Sequence, residues 1–247
     1  MKKFLTTFTI FISVLVFSSE NESTSHMEKI VLGSGCFWGA EKGYEALEGV
    51  LNAVSGYADG EGVRPTYRDI TKFSNKFNPN KHDEVFDVTD NKNLITLEEL
   101  IIYYVESHDP NQLNRQGNDI GTQYRSIVLY SDEAQQSKIL ELMAEYQTLL
   151  REGGYGDIQT IVKPLSQFFV AENFHQDYIK KNPNGYCPDH STGIKFARND
   201  YESKKDNNLL KIGKSIVVIE PEGFCPYCQK FREDVSNEYA GTIPLVY

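Results

Sequence analysis

A cysteine lies among glycines and aromatic residues in the run Gly35-Cys36-Phe37-Trp38-Gly39. The apolar pattern predicts a strand over 29–32 and an amphipathic helix over 38–47. Cys36 therefore falls at the start of a helix, where unpaired N–H groups and the helix dipole favour a nucleophilic thiolate. The aromatic neighbours suit a wall that holds a small apolar group. The alternative is a buried core cysteine, which is the commoner situation for a single cysteine.

The sequence contains three more cysteines, Cys187, Cys225 and Cys228. An even number of cysteines could indicate two structural disulfides in an oxidising compartment. However, 40% of the residues are hydrophobic, which is enough core-forming material to fold without such bridges. Because the four cysteines have different local surroundings, we interpret them as redox groups.

The last two cysteines form the motif Cys225-Pro226-Tyr227-Cys228. A β-branched strand is predicted before it, over 215–219, and a helix after it, followed by a short strand over 243–246. This order places the first thiol at a helix N-terminus, as in thioredoxin-like and glutaredoxin-like modules. Half of a zinc ribbon is the alternative, although no second cysteine pair lies nearby. We predict an incomplete thioredoxin-like strand–helix–strand unit over 215–247.

Between these thiol regions, hydrophobic periodicity predicts further strands, over 50–57, 84–89, 125–130 and 158–162. Three further helices are predicted. Two begin after the capping residues Thr96 and Ser131, and the third covers 171–181. Residues 69–81 and 108–123 have the composition of loops. Strands and helices do not alternate strictly, so we predict an α+β fold, a two-layer mixed sheet with helices, rather than a doubly wound sheet.

The N-terminus has the pattern of a secretory signal. Lys2 and Lys3 precede an apolar run over 4–17, and Ser18 supplies a small residue at the cleavage point. The run is shorter than the roughly 20 residues of a membrane span, although an uncleaved anchor is the alternative. We predict export to a periplasmic or other extracytoplasmic location, without stable membrane association after cleavage.

Two features of composition exclude other functions. The net charge of -10 and a pI near 5.0 argue against nucleic-acid binding, which normally requires a basic surface. The five histidines show no spacing typical of a metal site.

The heptapeptide Gly35–Glu41, GCFWGAE, resembles a signature of the A-type peptide-methionine sulfoxide reductases. Further segments resemble that family in the same order: Gly56-Tyr57, Pro65–Asp69, His108–Ser126 and Asn182–Cys187. The resemblance covers about Ile30 to Ala197. It implies a ferredoxin-like reductase domain that reduces the S epimer of methionine sulfoxide, free or in oxidised proteins. It also implies a thioredoxin-like electron donor and no metal, flavin or nucleotide cofactor.

The resemblance assigns catalytic roles to five residues. Cys36 attacks the sulfoxide sulfur, and Glu84 is the acid that supplies a proton to the oxygen. Tyr67 and Tyr124 hydrogen-bond that oxygen. When methionine departs, Cys36 remains as a sulfenic acid. Cys187 then converts this sulfenic acid to a disulfide.

Four more residues match the substrate-binding positions of the family. Phe37 and Trp38 hold the methyl group, Asp119 lies at the substrate's edge, and Tyr186 lies beside the resolving thiol. Each assigned residue also has a structural alternative: the tyrosines could be core residues, Asp119 could stabilise a turn, and Glu84 could be solvated. Glu41 is predicted to be a solvated helix residue.

The sequence also departs from the family pattern. The segment between Tyr67 and Glu84 is longer than the resemblance implies, and Lys81 replaces a usual glycine. A further recycling cysteine is missing between Cys187 and Cys225.

The resulting domain boundaries are a signal peptide 1–18, a polar linker 19–28, the reductase domain 29–198, a charged connector 199–214 and the thioredoxin-like unit 215–247. Two other functions stay open at this point. One is a general thiol–disulfide oxidoreductase centred on the C-x-x-C motif, and the other is a secreted binding domain with structural disulfides.

Overall fold

The computed structural model describes residues 26–197 and the backbone of two dipeptide strands near the C-terminus. The chain divides into two units, Met1–Ile194 and Lys195–Tyr247. The predicted signal peptide, most of the polar linker, the charged connector and the C-x-x-C motif lie outside the described residues.

The described residues of the first unit form eight strands: β1 Met27–Ser34, β2 Val50–Ala58, β3 Asp83–Asn91, β4 Arg115–Gln116, β5 Asp119–Ile120, β6 Ser126–Tyr130, β7 Ile161–Pro164 and β8 Phe168–Val170. Its five α-helices are α1 Phe37–Glu45, α2 Tyr67–Thr71, α3 Leu97–Glu106, α4 Glu133–Glu152 and α5 Tyr178–Lys181. The same described residues also contain two 3-10 turns, Phe73–Asn75 and Thr122–Tyr124.

Six of these strands form one sheet in the order β7-β6-β1-β3-β2-β8. Only β6 and β7 pair in parallel within this sheet, and its other neighbouring strands pair antiparallel. Strands β4 and β5 form a separate short ribbon. The sheet is therefore mixed, which confirms the α+β prediction.

The two faces of the sheet bury different layers, because successive side chains of a strand point to opposite faces. On one face, Leu32 of β1 lies opposite Phe86 of β3, whose ring packs 5.0 Å from that of Tyr44 in α1. On the other face, Val31 lies opposite Leu129 of β6 in a separate apolar cluster. Strand β3, between β1 and β2, is buried over most of its length.

Side-chain caps fix where the helices begin. Thr66 and Asp69 form a capping box at α2, and Thr96 forms another with Glu99 at α3, as predicted for Thr96. Helix α4 begins after Asp132, which accepts from the Gln135 amide, so the predicted cap at Ser131 is wrong by one residue.

The predicted helix over 171–181 is wrong except for α5. The preceding residues bond to β2 instead: the Ala171 amide donates to the carbonyl of Ser55, and the Gln176 side chain bonds both the amide and the carbonyl of Ser55. These bonds between distant segments replace the i to i−4 bonds that a helix would need.

Other predicted boundaries also differ. The predicted loop over 69–81 begins with the end of α2, because the Thr66 capping box starts a helix there. The strand predicted over 158–162 lies at Ile161–Pro164, paired with β6, and the edge strand Phe168–Val170 was missed.

Glu41 was predicted to be solvated, but it is buried in α1 at 2% exposure. Its carboxylate accepts from the amides of Ser55 and Asp177. These bonds satisfy the charge inside the protein and join α1 to β2 and to the start of α5. A surface pattern on a helix does not reveal such partners, so the prediction for Glu41 is wrong.

In the second unit, β9 Ile216–Val217 and β10 Leu245–Val246 pair in parallel. Within the described parts of both units, no helix has the length and apolar character needed to cross a bilayer. The same residues contain no cluster of three or more His, Cys, Asp or Glu side chains placed to hold a metal ion.

Candidate active site

Cys36 is the N-cap residue of α1, directly after the end of β1. Gly35 makes this sharp turn with φ of +95°, and a side chain there would collide with Gln116. The cysteine is partly buried and receives a hydrogen bond from the Trp38 amide. The predicted position at a helix start is therefore correct.

The expected thiolate is not favoured in the ligand-free site. Burial raises the pKa of Cys36 well above its ordinary value, and nearby Glu84 raises it further. The Trp38 amide acts in the opposite direction, but its effect is smaller. The thiol must therefore lose its proton within the reacting complex.

Glu84, the second residue of β3, is 2% exposed and lies opposite Tyr57 of β2. Burial raises the pKa of its carboxyl to about 8, and Asp119 adds to the rise, while the Phe37 amide and Lys81 oppose it. The carboxyl is thus largely protonated at neutral pH. Its Oε1 atom has no hydrogen-bond partner among the described residues, so this atom is free to bond to a ligand.

The charge of Glu84 affects the pKa of two tyrosines, Tyr67 and Tyr124. Tyr67 begins α2, and its amide donates to Glu172 at 2.9 Å. Tyr124 ends the 3-10 turn after β5. Burial, followed by the charge of Glu84, raises the pKa of Tyr67 to about 12 and raises that of Tyr124 further. Both hydroxyls therefore keep their protons and can donate hydrogen bonds.

The two aromatic residues after Cys36 belong to one cluster around His175. Phe37 is 1% exposed and packs 5.0 Å from the His175 ring. Trp38 is only partly buried, stacks 3.8 Å from the Tyr178 ring and donates from Nε1 to His175 Nδ1 at 3.0 Å. Phe37 is thus the buried ring of the cluster, and Trp38 has the more accessible ring.

Sequence reasoning missed two residues of this cluster. His175 is fully buried, and burial lowers its pKa, so the neutral ring accepts the Trp38 bond. Glu172 accepts from the Tyr57 hydroxyl at 2.7 Å and from the amide of Tyr67. Both lie in the segment that was predicted as a helix, and their partners are distant in the sequence, so the sequence held no clear signal for them.

The structure brings Asp119, expected at the substrate's edge, together with Tyr186, expected beside the resolving thiol. The Tyr186 hydroxyl donates to the Asp119 carboxylate, whose pKa is raised by burial and lowered by His190 and by this bond. Tyr186 is 42% exposed. The pair therefore borders the site at the protein surface, where an extended substrate could pass.

Cys187 lies in the segment 182–197, which contains no strand. A backbone-to-backbone hydrogen bond within it, from the Gly185 amide to the Asn182 carbonyl, forms a turn directly after α5. The exposed sulfur of Cys187 contacts the backbone of Gly39 so closely that a side chain at Gly39 would lie 2.9 Å from it. Cys36 and Cys187 line one cleft of about 120 Å³ with Tyr103 and other residues. The helix that begins after Cys36 thus brings the second thiol close to the first.

Asp83 is a poor alternative to Glu84 as the acid. It lies on the opposite face of β3 and accepts from Arg125 Nε at 2.6 Å. Arg125 also pairs with Asp59 at 3.3 Å, and Lys163 pairs with Asp59 at 2.5 Å. Although burial raises the pKa of Asp83 to about 7, this carboxyl is engaged in a buried ion cluster.

Comparison with known proteins agrees with the geometry. A family profile described as Peptide methionine sulfoxide reductase matches residues 28–207. The peptide methionine sulfoxide reductase MsrA of Corynebacterium glutamicum is 41% identical over 170 residues, which cover 68% of this chain and 76% of that protein. MsrA 1 of Synechocystis sp. is 42% identical over 161 residues, covering 65% and 70%.

Solved structures give the same result. Methionine sulfoxide reductase A of Corynebacterium diphtheriae superposes with a TM-score of 0.61 at 38% identity, covering 68% of this chain and 81% of that one. Reduced Mxr1 from Saccharomyces cerevisiae superposes with a TM-score of 0.60 at 31% identity, covering 70% and 94%. A thiol beside a protonated carboxyl, on a matching sequence and fold, leads to one conclusion: the chain belongs to the A-type peptide methionine sulfoxide reductase family.

Proposed function

We propose that this enzyme reduces methionine S-sulfoxide, free or in oxidised proteins, with Cys36 as nucleophile and Glu84 as proton donor. The observation that carries the proposal is the Glu84 carboxyl. It is buried, protonated at neutral pH and without a hydrogen-bond partner at Oε1 among the described residues. A sulfoxide oxygen supplies the missing acceptor, and the Tyr67 and Tyr124 hydroxyls supply further donors.

In the first step, Glu84 gives its proton to the sulfoxide oxygen while the Cys36 sulfur attacks the sulfoxide sulfur. The Cys36 proton passes to the Glu84 carboxylate, so that the acid is regenerated. The oxygen ends on Cys36 as a sulfenic acid and methionine leaves, with sulfur of the substrate reduced and Cys36 oxidised. Such a relay allows a thiol with a raised pKa to react without a permanent thiolate.

In the second step, the Cys187 thiol attacks the Cys36 sulfenic acid, a disulfide forms and water leaves. The support for this role is the contact of Cys187 with Gly39, one helical turn after Cys36. A thioredoxin-like donor then reduces the disulfide to two thiols, becoming oxidised itself. Repair of oxidised exported proteins is the role that this cycle serves.

Single-turnover experiments distinguish the two thiols. Cys36→Ser should release no methionine, because a hydroxyl is a far weaker nucleophile at neutral pH. Cys187→Ser should release one methionine per protein molecule and then fail to turn over with a thioredoxin donor, because methionine leaves before the second thiol acts. Methionine is counted by chromatography after mixing with excess sulfoxide.

Mass spectrometry of the oxidised wild-type protein supplies the control. A Cys36–Cys187 disulfide is expected, and a free Cys187 thiol after one turnover would rule out this residue as the resolving group.

Glu84→Gln keeps the shape of the side chain but removes the acidic proton. We expect the rate of methionine release to fall about 10²–10⁴-fold, as is typical for loss of a general acid. Glu48→Gln, an exposed carboxyl, is the matched control and should retain the wild-type rate. A near-normal rate for Glu84→Gln would contradict the assignment.

The same pair of variants has a predicted effect on stability. The folded protein holds the Glu84 proton between pH 4.5, the ordinary value, and about pH 8, so its unfolding free energy falls as pH rises through that range. Glu84→Gln should therefore gain stability relative to wild type, on the order of 4 kcal/mol by pH 8 and little below pH 4.5. Chemical denaturation at both pH values measures this difference.

Export is proposed from the N-terminal sequence, where two lysines precede the apolar run over 4–17. When the full-length gene is expressed in a bacterial host, N-terminal sequencing of the exported protein should begin at Ser19. Retention of the whole N-terminus in the membrane fraction would instead indicate an uncleaved anchor.

The C-x-x-C motif is proposed to act as an electron relay. Cys225 attacks the Cys36–Cys187 disulfide and Cys228 resolves the mixed disulfide, so the motif becomes oxidised while the site is reduced. A donor in the same chain has a high effective concentration when its connector spans the gap. Cys225→Ser should keep its rate with dithiothreitol and lose efficiency with external thioredoxin. Equal rates with both donors would remove the motif from the cycle.

A further inference from the structure

Lys81 lies two residues before β3 and is unusually enclosed for a lysine, with 7% of its surface exposed. Its ammonium donates to the carbonyl of Ile70 at 2.7 Å. Ile70 belongs to the last turn of α2, where carbonyl groups have no partner within the helix. The lysine therefore joins the helix that begins with Tyr67 to the strand that carries Glu84.

One carbonyl does not offset the cost of burying an ammonium group, because a buried cation needs charged partners. The groups whose charges act on Lys81 are two carboxyls, Asp83 and Glu84, and one cation, Arg125. Asp83 already accepts a short bond from Arg125 at 2.6 Å. Glu84 has no ion-pair partner among the described residues and is, after Asp83, the second carboxyl whose charge acts on Lys81.

We propose that Lys81 is a positioning residue for the acid: it holds α2 against β3, and its ammonium stabilises the Glu84 carboxylate that forms when the proton passes to the sulfoxide oxygen. This inference rests on the proposed role of Glu84 as proton donor. It gives the site a cation that compensates for the negative charge created during the reaction.

The other groups around Glu84 make this compensation necessary. They are acidic or can become so, and each would oppose a carboxylate: Asp119, Cys36, Tyr57, Tyr67 and Tyr124. The Phe37 amide supplies one favourable hydrogen bond. The Lys81 ammonium acts in the same direction as that amide. Burial lowers the pKa of Lys81 to about 8, so its positive charge is present at neutral pH and is lost above that value.

The test is a titration of Glu84 that does not depend on activity. Carboxyl carbon-13 NMR follows the Glu84 resonance, which is assigned by its absence from Glu84→Gln. In the wild type the midpoint is expected near pH 8. Lys81→Met should move it upward by about one pH unit, because an opposite charge nearby is lost. Lys81→Arg should keep the midpoint at or below that of the wild type, because a guanidinium stays charged at pH 8.

Activity is then compared among the same variants. Lys81→Met should slow methionine release about tenfold, the change in carboxylate population that corresponds to one pKa unit, mainly through kcat. Lys72→Met, which changes an exposed lysine after α2, is the matched control and should behave as wild type. If Lys81→Met does not fold, Lys81→Gln provides an uncharged side chain that can still donate to Ile70.

The outcomes separate this inference from the proposed function. An unchanged Glu84 midpoint in an uncharged, folded Lys81 variant overturns the role of Lys81, even if Glu84→Gln is inactive. A shifted midpoint with an unchanged rate limits Lys81 to electrostatics without a part in the reaction and also overturns it. A fully active Glu84→Gln instead overturns the proposed acid.

Discussion

Ionising a buried carboxyl group on a central strand of a sheet requires free energy, because the charge is removed from water. The arrangement of this site follows from that constraint. Glu84 avoids the cost by keeping its proton at neutral pH. Its strand lies between β1 and β2, and its side chain is 2% exposed. The antiparallel pairing of β1 with β3 also brings the end of β1, and therefore Cys36, beside the start of β3.

Residues 171–177, which are far from Glu84 in the sequence, hold the residues around this carboxyl in place. Glu172 accepts hydrogen bonds from the hydroxyl of Tyr57 and the amide of Tyr67, while His175 accepts one from the indole of Trp38. Glu41 fastens the same segment to α1 through the amide of Asp177. Polar side chains from residues 171–177 thus hold the aromatic residues in place, and the apolar packing around Phe37 excludes water from them.

The sequence was sufficient to locate Cys36, because a strand, a glycine turn and a helix follow one another within a few residues. It also placed Glu84 on a strand, but its burial depends on which strands pair with β3, and pairing across distant segments is not encoded in local periodicity. Glu172 and His175 were missed for the same reason, since their partners are 105 to 137 residues away in the chain. Tertiary bonds to Ser55 overrode the helical pattern that had been predicted there.

The two thiols of the first unit are held in different ways. Cys36 is fixed by a strand, a helix and Gly35, whereas Cys187 lies next to Gly39 on a segment without strands, which is held by hydrogen bonds from Tyr146 and Tyr155 to its carbonyl groups. The segment after α5 nevertheless contributes to both parts of the site, because Tyr186, next to Cys187, donates to Asp119 at the edge of the site. A lineage that lengthened, shortened or exchanged this segment would therefore change the border of the substrate cleft together with the second thiol, so substrate range and reductant are expected to vary together.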